Sequence, residues 1–149
     1  MKDIEKVKQL REESGVSYAM CSQALKDAEG DIAKARELLK KKGAEVAEKK
    51  SGRETDQGAV FTYIHHNKKI GAMVTVLCET DFVAMNEDFQ KLGNDIAMHI
   101  ASISPESKEA LMSSAFIKDP SLTIEQLIKN EILKIGENIT IGEFNRSEI

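Results

Sequence analysis

The hydrophobic period of this chain first changes near residue 58, and that change restricts the possible folds more than any other feature. Before it, apolar residues recur every three or four positions, the spacing of a buried helical stripe. Beyond it they first alternate, the spacing of a half-buried strand. A chain of this kind is read as helices followed by a sheet with its own helices, an α+β protein.

The helical part divides at its glycines. Ile4, Val7 and Leu10 share one face, and Gly15 closes their helix as a residue tolerant of positive φ. Ser17 caps a second helix with Tyr18, Cys21, Leu25 and Ala28 on one side. Gly30 stops it and Asp31 caps a third, whose stripe is Ile32, Ala35 and Leu39. Lys40, Lys41 and Lys42 suit the negative end of that helix, and Gly43 is expected to close it. Residues 44–55, rich in Lys, Glu and Ala, are expected to be a solvated, mobile linker, extended or helical. The expected division is a three-helix module over 1–45, a linker over 46–57 and a core over 58–149.

In the core, Val60, Thr62 and Ile64 alternate with Phe61, Tyr63 and His65. Asn67-Lys68-Lys69 is a turn, and Ile70–Cys78 a second strand of an antiparallel hairpin. Asn86 caps a helix with Glu87 and Asp88 in its first turn and Phe89, Leu92, Ile96, Ile100 and Ile103 inward; Ser104-Pro105 breaks it. A short helix is expected within 106–114. Thr123 and Gln126 form a capping box for a last helix, which Gly136 ends. Ile139, Ile141 and Phe144 predict a final strand bent at Gly142.

Charge narrows the function. The net charge is −4, whereas a nucleic-acid binder needs a basic face to neutralise phosphates. Residues 1–55 carry a net +2 and residues 56–149 a net −6, which places a compositional boundary near residue 55. Cys21 and Cys78 lie far apart without a CxxC spacing, so neither a disulfide framework nor a zinc site is expected. The first residues lack the apolar segment of a signal peptide, and no apolar run reaches the ~18 residues of a membrane span. A cytoplasmic protein is expected.

Catalytic motifs are missing. There is no GxxxxGK[ST] phosphate loop, no GxSxG and no HExxH. Glu79 and Asp81, at i and i+2, could share a strand face for acid–base or metal work, though a solvated strand end explains them as well. His65-His66 resembles a metal pair, but neighbours on a strand point to opposite faces. Cys21 falls on an apolar stripe, where a free thiol acts as a small hydrophobe. His99 sits at the edge of its helix's stripe, where a packing residue with one hydrogen bond is the ordinary reading and a polar tip offered to a partner is the alternative. Phe82, in the Thr80-Asp81-Phe82-Val83 connection between strand and helix, is either core or an exposed anchor.

Two stretches carry a family resemblance. Val7-Lys8-Gln9-Leu10-Arg11-Glu12-Glu13-Ser14-Gly15, with Ala28-Glu29-Gly30-Asp31-Ile32 and Lys42-Gly43-Ala44, resembles the amino-terminal module of elongation factor Ts, a three-helix fold of the ubiquitin-associated (UBA) type. Cys78-Glu79-Thr80-Asp81-Phe82-Val83-Ala84 is similar to that family's core signature. Tyr63–Asn67, Ala97-Met98-His99-Ile100 and Lys134–Ile139 also match. The family's Ala-Gly-Met-Met-Asp is replaced by Val16-Ser17-Tyr18-Ala19-Met20, and its Lys-Lys after the cysteine by Ser22-Gln23. The helical insertion, duplicated core and coiled coil of longer members have no room here.

The resemblance implies a guanine nucleotide exchange factor for elongation factor Tu, acting in translation elongation and catalysing no bond change of its own. Asp81 and Phe82, with Thr80 and Val83, would push into the G domain of that partner near its magnesium site. His99 would reach toward the same domain, and Leu10 and Arg11 would belong to the module's contact. No cofactor or metal, no nucleic acid and no membrane is implied, and single-core members form a homodimer. Two rival readings stand beside it. One is a UBA-like adaptor with a dimerising core; the other is a small hydrolase using Glu79 and Asp81.

Overall fold

The computed structural model describes residues 2–149. Helices α1 (Lys2–Ser14), α2 (Tyr18–Asp27) and α3 (Ile32–Lys50) come first. Gly15 and Gly30 take the positive φ that ends the first two helices. Ser17 and Asp31 cap the next two, their side-chain oxygens accepting from Met20 N–H and from Ala33 and Lys34 N–H. Val7, Leu10, Val16, Cys21, Leu25, Ala35 and Leu39 fill the small core between them.

That core is not closed by the module alone. Helix α3 does not stop at Gly43 as expected but runs on to Lys50, and Gly43 and Ala47 are buried within it. The expected helix end is corrected here, and of the two forms expected for the stretch that follows, the helical one is present as far as Lys50. A Cβ on Gly43 would stand 3.5 Å from the Lys129 carbonyl and 3.8 Å from Leu133 Cβ, so the glycine marks close approach to another helix, not a turn. The neighbour is α7 (Ile124–Ile135). Leu133 of α7 completes the module's core, while Ala47 of α3 packs into the larger one. The connection after α3 is tied down as well: Asn138 Nδ2 donates to the Arg53 carbonyl at 2.9 Å, and the Thr55 and Thr140 hydroxyls lie 2.8 Å apart.

The larger unit is an antiparallel sheet in the order β1-β2-β5, formed by β1 (Gln57–Ile64), β2 (Ile70–Cys78) and β5 (Ile139–Glu148). Alternation puts Phe61, Val74, Val76 and Ile141 on the inner face against α5 (Glu87–Ile103) and α7. β5 shifts register opposite Val74/Val76, next to the bend expected at Gly142. α5 begins at its Asn86 cap, and α7 opens with the expected Thr123–Gln126 capping box and ends at Gly136 with φ +88°. Three short elements complete the core. They are α4 (Asp81–Ala84), α6 (Lys108–Ser113) and the hairpin β3 (Ala115–Phe116) with β4 (Asp119–Thr123). The hairpin was not foreseen. No helix among the described residues is long and apolar enough to cross a membrane.

Candidate functional site

The sheet ladder between β2 and β5 ends at the pair Cys78–Ile139. Beyond that pair, the backbone turns directly into α4. Thr80 is its cap: the side-chain oxygen accepts from Val83 N–H at 3.3 Å. What sequence reading took for a plain connection is therefore a single helical turn, Asp81–Ala84. Ala84 is buried and anchors the turn, while Val83 is half-buried against the core.

The outward side of this turn is apolar. Phe82 is 85% exposed and Met85 82% exposed, the largest exposures of any large hydrophobic side chain among the described residues except Ile149. Neither supports the fold. Asp81 is exposed beside Phe82, so an acid and an aromatic project together.

The two acids of the hydrolase reading do not converge. Glu79 turns toward β5, accepting from Asn138 N–H at 2.7 Å, and lies 3.5 Å from Arg53 Nη1. Asp81 faces solvent. Cys78 is buried, its thiol donating to the Thr80 carbonyl at 3.2 Å; burial, and then the nearby Glu137 carboxylate, push its pKa up. At His65-His66 the ring centres are 4.2 Å apart, and His65 Nδ1 is 2.9 Å from the Tyr63 hydroxyl. Among the described residues, no group of three or more His, Cys, Asp or Glu side chains is arranged to hold a metal ion.

Two residues expected at the partner surface lie inside. Leu10 is 1% exposed in the module core. His99 is fully buried on α5 beneath the β3–β4 hairpin. Its Nδ1 accepts from Ile117 N–H at 3.3 Å, and its Nε2 lies 2.8 Å from Ser114 Oγ, whose hydroxyl donates to the Leu111 carbonyl. That pattern assigns a neutral ring with the proton on Nε2. In this conformation neither side chain is available to a partner. Arg11 is exposed at the end of α1, and Tyr18 and Met20 are exposed on α2.

Burial alone holds the His99 imidazole below its usual pKa. The unfolded chain therefore takes up this proton first, so the stability it contributes is full above about pH 6.5 and declines as pH falls below it. Glu131, whose burial raises its carboxyl pKa, acts in the opposite direction: its contribution is full below the usual carboxylate value and is lost as pH rises. Urea denaturation of the parent and of His99→Gln isolates the histidine. Between pH 7 and 5 the parent loses stability more steeply than the variant; equal slopes would show that the ring does not titrate with folding.

A family model described as Elongation factor TS matches residues 79–149, the stretch that begins at this turn and runs through β5. The chain is 38% identical to Elongation factor Ts of Fervidobacterium nodosum, over 96% of its own length and 95% of the relative's. It is 36% identical to that of Petrotoga mobilis over 98% of this chain and 97% of the other. With that of Aquifex aeolicus the identity is 43% over 96% of this chain but only 51% of the relative, a protein about twice as long. The alignment with the Fervidobacterium protein runs over 188 positions, more than the 149 residues present here, so the relative carries segments that this chain lacks. With such identity over nearly the whole of both chains, and an acid–aromatic turn exposed where the matched segment begins, this chain belongs to the elongation factor Ts family.

Proposed function

We propose that the protein is a guanine nucleotide exchange factor for elongation factor Tu, working in the cytoplasm during translation elongation. The observation that carries the reading is Phe82: a large aromatic side chain, 85% exposed, on a turn whose own backbone is firmly held. An aromatic ring left in water on a rigid mount is a binding anchor. Asp81 beside it supplies a charge that competes with acidic or phosphate ligands around a magnesium ion. In a nucleotide-bound GTPase that ion bridges the protein and the phosphates, so disturbing its ligands loosens the nucleotide.

No bond is made or broken in this scheme. The protein binds the nucleotide-free partner better than the GDP-bound one, and by reciprocity GDP binds the complex less well. Thr80 and Val83 fix the turn, while His99 and Leu10 act from beneath the surface, by shaping α5 and the module. Residues 1–45 and 58–149 are the two working units. The module adds a second contact through Arg11 and the exposed face of α2, and holding both contacts in one chain raises their effective concentration. Stopped-flow release of a fluorescent GDP from elongation factor Tu tests the function. Release accelerates with rising concentration of this chain; a rate constant independent of it would overturn the assignment.

The outer face of the sheet supports a homodimer. Val60, Ile64 and Met73 are 60%, 58% and 45% exposed and stand on one face, since Thr62, between Val60 and Ile64, pairs with Met73. A three-stranded sheet covered on one side only leaves such a face to a second copy of the chain. Sedimentation is expected to show a dimer, and Val60→Glu with Met73→Glu to give the single-chain mass. A parent that sediments as a monomer at working concentration would refute the pairing.

A further inference from the structure

Where the β2–β5 ladder stops, the backbone N–H groups of Glu79, Thr80 and Asn138 lose their strand partners. Each is taken instead by a carboxylate from the opposite strand end. Glu137 Oε1 accepts from Glu79 N–H at 3.1 Å and from Thr80 N–H at 3.0 Å, and its Oε2 accepts from the Thr80 hydroxyl at 2.8 Å. Glu79 returns the contact, accepting from Asn138 N–H at 2.7 Å. The two side chains cross between the strand ends and staple them.

The Thr80 hydroxyl has two roles in this arrangement. It donates to Glu137 and accepts from Val83 N–H, so one atom joins the carboxylate to the first turn of α4. The direction in which that turn projects Asp81 and Phe82 is thus set by a residue 57 positions away in sequence from Thr80. Hydrogen bonds to an ionised acceptor are short and strong, and three of them on one carboxylate fix a backbone more firmly than a neutral side chain would. Cys78 adds a fourth restraint through its thiol, which burial keeps protonated and able to donate to the Thr80 carbonyl.

We propose that Glu137 is a positioning residue for nucleotide exchange: it touches no partner and acts by holding Thr80, and through it the Asp81–Phe82 turn, in its projecting orientation. The proposal rests on the functional reading of Phe82 above. Glu137→Ala removes the acceptor from three donors, whereas Glu137→Gln keeps one oxygen for the two N–H groups and can still hydrogen-bond the hydroxyl with its amide. The measured quantities are GDP release from elongation factor Tu and amide hydrogen exchange at Glu79 and Thr80 in the full chain.

Glu137→Ala is expected to lower stimulated release by about tenfold or more, the scale on which residues that only orient a working group are felt. It should also speed amide exchange at Glu79 and Thr80. Glu137→Gln should restore most of both. Combined with Phe82→Ala, the alanine change should lower release by less than about twofold further, because both act through the one projecting turn whose anchor is Phe82. Full multiplication of the two effects would overturn the proposal, as would unchanged release in Glu137→Ala alongside a loss in Phe82→Ala. If Phe82→Ala itself left release unaltered, the functional reading would fall, and unchanged protection of the two amides would separately refute the staple. Should Glu137→Ala not fold, Glu137→Gln with intact exchange protection and unimpaired release supports the role, and Glu137→Gln with intact protection but release as slow as in Phe82→Ala refutes it.

Discussion

Phe82→Ala will leave the fold intact and slow the stimulated release of GDP from elongation factor Tu by about thirtyfold or more. The figure follows from the ~2 kcal/mol or more that truncating an anchor aromatic costs, with each ~1.4 kcal/mol worth a factor of ten. The fold is indifferent because the ring is 85% exposed and absent from both hydrophobic cores. A buried phenylalanine would behave differently: Phe89, fully buried on α5, would cost about 3–5 kcal/mol on the same change. The comparison is made by recording thermal denaturation and release kinetics on one preparation. A variant that melts well below the parent would show the ring to be structural. A variant that melts normally and still stimulates release fully would show that the turn is not the working surface.

How much of this was legible in the sequence depended on whether the cause was local. Ile70–Cys78, the Asn86 cap, the Thr123–Gln126 capping box and the stop at Gly136 all stand where local chemistry put them. Gly43 misled for the same reason. A glycine after a lysine run reads as a helix end, yet its φ is not positive and the helix continues through it. The glycine answers to the approach of α7, more than 80 residues later, which no local pattern announces. The β3–β4 hairpin was missed because β3 is two residues long and β4 contains Pro120, a residue that argues against a strand.

The candidate site shows the same division. The Thr80-Asp81-Phe82-Val83 motif was visible as a string of residues, and the exposure of Phe82 needed the fold to decide it. Leu10 and His99 share motifs with surface residues but lie inside, since a helix alternates its faces within a motif and the motif does not record which face each residue takes. Glu137 was visible only as part of a matching stretch. Its role rests on contacts with residues 79 and 80, which the sheet brings together and the linear order does not.

Gly93→Ala presents the reverse of the Phe82 case: stability lost and exchange kept. Gly93 lies inside α5, where alanine is favoured over glycine by ~1 kcal/mol, so helix propensity alone expects the change to stabilise. Packing opposes it. A Cβ at this position would stand 2.2 Å from Cδ2 and Cε2 of Phe61 and 2.4 Å from its Cζ, far inside the ~3.5 Å at which carbons touch. Phe61 has little room to give way, being 3% exposed and edge-on to Phe89 with ring centres 5.9 Å apart. Overpacking of this kind costs ~1–3 kcal/mol, and an overlap above an ångström belongs at the upper end, so the clash outweighs the propensity gain. The expected net loss is ~1–2 kcal/mol, seen as a fall of ~2–8 °C in melting temperature for a chain of this length. Phe61→Leu in the same molecule should return part of that loss, because the shorter side chain vacates the contested space. Release of GDP per folded molecule should match the parent, since neither residue lies on the Asp81–Phe82 turn. A higher melting temperature in Gly93→Ala would show that α5 can slide away from β1, and the close helix–sheet contact that seats this face of the core would then be wrong.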